Sequence, residues 1–255
     1  MDTTEDATRF TDANLAQYNA IVFLNTTGDV LTNATQLNAL QHYIEVGGGW
    51  VGVHAASDTL HNWPWYGNLV GAYFVSHPAI QQATIRVEDR ADPSTSRLPA
   101  AWVRTDEWYN FNLDPRAAVH VLATVDETTY LGGSMGADHP ISWSHYFDGG
   151  RAWYTASGHT PESYSEPLFQ AHLLGGIQFA AGVAAGRPPL ALAASGNNLQ
   201  LAWPAGAAGF LLETATNFQA VTLWSLVTNA PVPQSGRQTL SFPLSNSNQF
   251  FRLRK

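Results

Sequence analysis

The groups available for chemistry in this chain are histidines and carboxylates: nine His and twenty Asp or Glu, with no Cys. His54 closes the apolar run Trp50-Val51-Gly52-Val53, which follows the triple glycine Gly47-Gly48-Gly49. His159 follows Ser157-Gly158, just after a second apolar run, Arg151–Thr155. Both stand where a strand ends, the place where open α/β sheets put their chemistry. His77 precedes Pro78 in a loop, which biases it to an extended backbone. Imidazole titrates near neutrality and ligates metals, so these histidines suit acid–base work or metal binding. Asp106-Glu107 is the strongest acidic pair. If residues 104–111 form a strand, neighbours face opposite sides. Glu107 then shares a face with Thr105 and Tyr109, and Asp106 with Arg104 and Trp108. Glu107 is expected in the cleft as general base or metal ligand.

Each of these residues also has a structural reading. His54 could bond a backbone carbonyl and fix a turn, and His77 could pack on the surface. Glu107 could pair with Arg104 or Arg151, and His159 could cap the start of a helix. His139, before Pro140, is a weaker site candidate. His145 falls on a strand face, and His42, His120 and His172 read as structural or exposed. Three histidines and a carboxylate on separate loops, His54, His77, Glu107 and His159, could form a divalent-metal site of the zinc type. They do not make a local motif such as H-E-x-x-H. Trp63, Trp65, Tyr66, Tyr73, Trp108 and Tyr109 could stack on sugar rings or simply fill the core.

Several chemistries are excluded. Without cysteine there is no disulfide framework, thiolate metal site or cysteine nucleophile. Gly132-Gly133-Ser134-Met135-Gly136 puts its serine out of place for a nucleophile elbow and reads as a turn. No P-loop and no G-x-G-x-x-G occur. The formal charge is −8 and Lys255 is the only lysine, which argues against a nucleic-acid backbone as partner. No apolar run reaches the roughly 18 residues of a membrane span. The N-terminus, Met1-Asp2-Thr3-Thr4-Glu5-Asp6, is not a signal peptide.

These residues need a scaffold, and the pattern supplies an α/β one. Ala20–Leu24 is a continuous apolar strand, residues 34–46 form a helix capped by Thr32 or Asn33, and Trp50–His54 is the next strand. Together they make a right-handed βαβ unit. Asn62–Tyr66 is an aromatic turn leading into a short helix that ends at Val70. Strands are expected at Ala83–Glu88, Arg104–Phe111, Val119–Thr124, Ile141–Tyr146 and Arg151–Thr155, the last two joined by the turn Asp148-Gly149-Gly150. A helix starts at Glu166 or Pro167 and runs to about Ala181. Residues 183–189 are a Gly/Ala/Pro linker. From residue 190 to 255 short strands and frequent turns indicate a small antiparallel β-sandwich. Charge divides the same way. Beyond residue 186 five basic residues face Glu213 alone, while all nine histidines lie before it.

Residues 5–182 resemble a ThuA-like (trehalose-utilisation) domain of the class I glutamine amidotransferase-like fold. The likeness is carried by Val22–Asp29, Gly47–Asp58, Trp63-Pro64-Trp65-Tyr66, Gly71–Phe74, Ser76-His77-Pro78 and Thr105–Tyr109. Asp138–Trp143 and Gly158-His159-Thr160 complete it. The resemblance implies a flavodoxin/amidotransferase-like, mostly parallel sheet flanked by helices over residues 1–182. It also implies a carbohydrate link. His54 occupies the elbow position that holds Cys in amidotransferases, so cysteine-dependent glutaminase chemistry is excluded. A first strand and a His-Asp loop usual in the family are missing. That loss is expected to expose two strand edges, so that the sheet rearranges, a second copy of the chain completes it, or the chain is a fragment of a longer protein. The tail resembles modules that close exported bacterial enzymes, which implies a periplasmic or extracellular setting.

The resulting expectation is a carbohydrate-processing enzyme or accessory domain acting on a sugar or keto-sugar by hydrolysis, lyase or isomerase chemistry. His54, Glu107 and His159 would be catalytic, with zinc as the possible metal. His77, Asp106, Trp65, Tyr66, Tyr109 and His139 would contact a small carbohydrate or glycoside. The alternative is a non-catalytic ligand-binding module that has lost the amidotransferase nucleophile.

Overall fold

Strand β1, Ala20–Leu24, is wholly apolar and pairs in parallel with β2, Gly49–Val53. Helix α1, Ala34–Glu45, makes the crossover. Its first turn is closed reciprocally: Asn33 accepts from the Gln36 amide, and the Gln36 side chain accepts from the Thr32 amide. The computed structural model describes residues 1–183, 188, 190–204, 207, 210–217, 223–234, 237–244 and 248–254. Further along lie α2 (Pro64–Val70), β3 (Gln81–Val87), β4 (Ala101–Asp106), β5 (His120–Val125), β6 (Pro140–Phe147), β7 (Gly150–Thr155) and α3 (Pro167–Ala180). The seven strands form one sheet in the order β1-β2-β7-β6-β5-β3-β4.

The α/β class with flanking helices is the one expected, and the sheet is mixed. Parallel pairing is confined to β1-β2-β7; the other neighbours are antiparallel. The reason is local. Only Asp148 and Gly149 join β6 to β7, both at positive φ (46° and 98°). A two-residue hairpin can connect only antiparallel strands. The sheet has no internal gap: β2 pairs directly with β1 on one side and β7 on the other. The expected pair of internal edges is not found; β1 is an edge strand of the sheet, as β4 is at the other side. On β1, Val22 and Leu24 are 40% and 53% exposed.

The single strand expected over 104–111 divides. β4 stops at Asp106, and Asn110–Phe111 joins Phe74–Ser76 in a separate two-stranded ribbon. On the sheet itself, Trp50, Trp143, Trp153 and Tyr154 are fully buried, as is Phe169 of α3 above it. α3 lies close over β7 because Gly176 has no side chain: a Cβ there would stand 2.3 Å from the Trp153 indole.

The tail forms two small antiparallel sheets, one of Ala191–Ser195, Asn198–Pro204, Arg237–Pro243 and Val232–Gln234, the other of Ser225–Leu226, Leu211–Ala215 and Phe250–Arg254. Leu201, Trp203, Leu212 and Leu240 make its own core, and Tyr146 of β6 packs against both cores. The expected linker falls mostly outside the described residues.

Candidate active site

His54 begins a tight turn directly after β2 and carries a positive φ of 50°. A non-glycine residue in this region is uncommon and marks a backbone held by its surroundings. The hold is visible. The Tyr154 hydroxyl donates to the His54 carbonyl at 2.8 Å, and His54 Nδ1 donates to the Ala156 carbonyl at 2.7 Å. A carbonyl can only accept, so the proton of the neutral ring sits on Nδ1 and the Nε2 lone pair faces the cleft. Burial holds the His54 pKa below its ordinary value, partly offset by the Ala156 carbonyl, which keeps the ring neutral at pH 7.

The second wall comes from the end of β4. Asp106 is fully buried and accepts from the backbone amides of Gly158 (2.9 Å), His159 (3.1 Å) and Glu107 (3.0 Å). Gly158 has φ 111°, so the loop after β7 turns tightly here and delivers His159 to the cleft. Behind Asp106 lies Arg104, also buried, 3.3 Å from both Asp106 and Glu166 and stacked between Trp102 and Phe169. Glu107 is 7% exposed, and its carboxylate lies beside the His54 and His159 rings. Because the chain leaves the strand after Asp106, the two carboxylates do not part to opposite faces. Asp106 holds the backbone of His159 while Glu107 meets its ring.

The centre of the site is a triangle. His54 Nε2 lies 3.0 Å from His159 Nδ1 and 3.3 Å from Glu107 Oε2, and the last two are 3.2 Å apart. Lone pairs so placed need a group between them that accepts their density: an N–H at His159 Nδ1, or a cation. Ligands about 2.1 Å from a tetrahedral or octahedral ion stand roughly 3.0–3.4 Å from each other, which the three distances match. The donor set of two imidazoles and one carboxylate fits zinc or a similar divalent ion and leaves a face open. His77 is not a corner. Its Nδ1 lies 3.0 Å from Glu107 Oε1 and 2.9 Å from the Pro78 carbonyl, so it orients the other carboxylate oxygen. The Tyr109 ring closes one side, 4.1 Å from His54 and 4.2 Å from Phe74 between centroids.

Other expected contacts lie elsewhere. Tyr66 is fully buried against Phe23 and Trp50, its hydroxyl donating to the Ala56 carbonyl, so it presents no face to a ligand. Trp65 stacks on Trp63 and donates to Asp148 at the β6–β7 hairpin, which lies at the opposite end of β7 from His159. His139 is fully buried between the Tyr109 carbonyl (2.7 Å) and the Glu127 carboxylate (2.8 Å), so it supports the site from behind. Asp106 likewise positions rather than touches. His172 is buried, and His42 and His120 pair with surface acids Asp12 and Asp89. Arg104, Phe74 and Tyr154 are the supporting residues that sequence reasoning missed as parts of the site. Arg104 carried a signal, as the nearest base to the acidic pair; its partner is Asp106, not Glu107.

Fold and site together define an α/β protein in which a histidine is held at positive φ where a parallel strand of the sheet ends. Residues 1–180 match the family model ThuA, described as trehalose utilisation. The chain belongs to the ThuA family, a family of carbohydrate utilisation. Among solved structures it is similar to a ThuA-like protein from Bacteroides uniformis, with 29% identity and a TM-score of 0.63 over 72% of this chain and 78% of that one. A ThuA-like protein from Parabacteroides merdae has 21% identity and a TM-score of 0.58 over 74% and 79%. No curated protein sequence matches. Among the described residues no helix is long and apolar enough to cross a membrane.

Proposed function

We propose that this protein is a carbohydrate-processing enzyme in which His54, Glu107 and His159 hold a divalent cation, zinc by donor type, beside a sugar or keto-sugar. The observation that carries the reading is the triangle of lone-pair atoms at 3.0–3.3 Å. A divalent ion there would polarise a substrate oxygen and lower the pKa of bound water. Around it the protein's own groups have clear tasks. Ala156 fixes the His54 tautomer, and Asp106 fixes the His159 backbone. His77, 41% exposed at its side chain, is placed to exchange protons with solvent through Glu107. Hydrolysis and lyase or isomerase chemistry all use such groups. The tail's likeness to modules of exported enzymes supports an extracytoplasmic setting. The open edge of β1 supports an assembly in which a second copy extends the sheet.

Metal analysis of the purified protein, joined to a thermal-shift screen against sugars and keto-sugars, tests the reading. About one divalent ion per chain is expected in the wild type and none in Glu107→Ala or His159→Ala. A wild-type protein that takes up no divalent metal and responds to no sugar would sink it.

A further inference from the structure

Asn25 bonds to the residues that precede both histidines of the cluster. It follows the last residue of β1 and has a positive φ of 52°, a conformation that asparagine tolerates better than most residues. Its backbone amide donates to the carbonyl of Val53, just before His54, at 3.2 Å. Its side-chain amide donates to the carbonyl of Gly158, just before His159, at 3.3 Å, and to the Tyr164 hydroxyl at 3.2 Å. Tyr164 in turn donates to the same Gly158 carbonyl at 2.9 Å. A carbonyl only accepts, so Nδ2 is the Asn25 atom that faces Gly158.

We infer that Asn25 is a positioning residue, a strut from the end of β1 to the turns after β2 and β7 that sets the separation of His54 Nε2 and His159 Nδ1. The inference rests on the proposed function, because a shared cation is what makes that separation matter.

His159 needs such a hold. Its side chain is 40% exposed, and among the described residues its ring meets only His54 and Glu107, the other two corners of the triangle. The ring therefore goes where its backbone takes it. That backbone turns at Gly158, at φ 111°, where no side chain limits it. The peptide between Gly158 and His159 is pinned at both poles. Asp106 accepts from its N–H at 3.1 Å, while Asn25 and Tyr164 donate to its C=O. The N–H and C=O of a trans peptide point opposite ways, so Asp106 holds one side of it and Asn25 with Tyr164 the other. Asn25 is exposed. Unlike Asp106, it can be changed without leaving a buried charge short of a partner.

Asn25→Gly removes the side chain and keeps the backbone, because glycine adopts positive φ freely. Tyr164→Phe removes the other donor. Tyr43→Phe is the control, since it loses bonds to the Tyr18 and Gly49 carbonyls at the end of β2 away from His54. In the first measurement the full chain competes with a chelator for zinc, well below the melting temperature of each variant. Asn25→Gly should bind zinc about ten- to a hundredfold more weakly than the wild type. Tyr164→Phe should weaken binding in the same direction, and Tyr43→Phe should leave it unchanged. The second measurement needs no metal. NMR of the imidazole nitrogens at fixed pH should show the His54 and His159 signals displaced in Asn25→Gly and those of His120 unmoved. Wild-type zinc affinity, or unmoved His54 and His159 signals, in Asn25→Gly would each overturn the inference and leave the proposed function standing. Equal weakening in Tyr43→Phe would mark a loss of stability rather than of position. An Asn25→Gly chain that does not fold would make Asn25 a residue of the fold alone. Either result overturns the inference. A wild type that takes up no zinc removes the proposed function, and the imidazole spectra then decide the strut by themselves.

Discussion

A histidine at φ 50° is held there by groups that cannot be replaced one at a time. The Ala156 carbonyl takes the Nδ1 proton of His54, and Tyr154 takes up its carbonyl. His172 shows the same physics without a role in the cleft. It is fully buried, with Nδ1 donating to the Ser94 carbonyl at 2.9 Å, and burial pushes its pKa down to about 4. In the unfolded chain it titrates near 6.5. Between those values the unfolded chain takes up a proton that the folded one refuses, so stability rises with pH across the window and falls as acid is added. The loss from pH 7.5 to 5 should be about 2 kcal/mol. Urea unfolding at the two pH values measures it, and His172→Gln should shrink the difference. An unchanged difference would show that other groups carry the pH dependence. Residue types made His54, Glu107 and His159 legible as site candidates, because polar groups at strand ends are conspicuous. They ranked His139 below these but still among the groups that would contact a ligand. A histidine before proline looks alike in a cleft and behind one, and only the packing of Glu127 and Tyr109 around it tells which.

At the scale of elements, the site exists because two strand ends meet. β4 ends in Asp106, and the loop after β7 supplies Gly158 and His159; three backbone amides and Arg104 converge on one buried carboxylate. Removing it leaves buried Arg104 with only the partly exposed Glu166 as counter-charge, which costs about 3 kcal/mol, and frees the loop that carries His159. Asp106→Ala is therefore expected to lose both stability in denaturant and metal affinity. A variant as stable as the wild type, with unaltered metal binding, would contradict this coupling. The βαβ unit, the β6–β7 hairpin and α3 were legible from periodicity and turn residues. The division of residues 104–111 was not, since an alternating pattern continues across it. The break is set by Asp106 capping its own successor's amide and by Asn110–Phe111 finding a partner in Phe74–Ser76.

For the whole molecule, the site and the tail lie at opposite ends of the parallel strands. His54 and His159 follow the carboxyl ends of β2 and β7, while Tyr146, which packs on the tail's core, lies beside the amino end of β7 through its pairing with Arg151. Among the described residues the tail therefore supplies no group to the cleft. A chain ending after residue 182 should keep its metal content and sugar response while exposing Tyr146 and losing solubility. Metal analysis and light scattering on that truncation check both halves, and loss of metal would place the tail in the site's support.

The sequence by itself determined the α/β class, the order of the main elements, the β-rich tail and the exclusion of cysteine chemistry, since these follow from local periodicity, turn residues and composition. Only the tertiary structure decided which polar residues converge. Convergence depends on strand order and on where a strand stops, and both are settled by long-range packing. It brought His54, Glu107 and His159 within 3.3 Å of one another. It set His77 at the rim and turned Asp106 and His139 into supports.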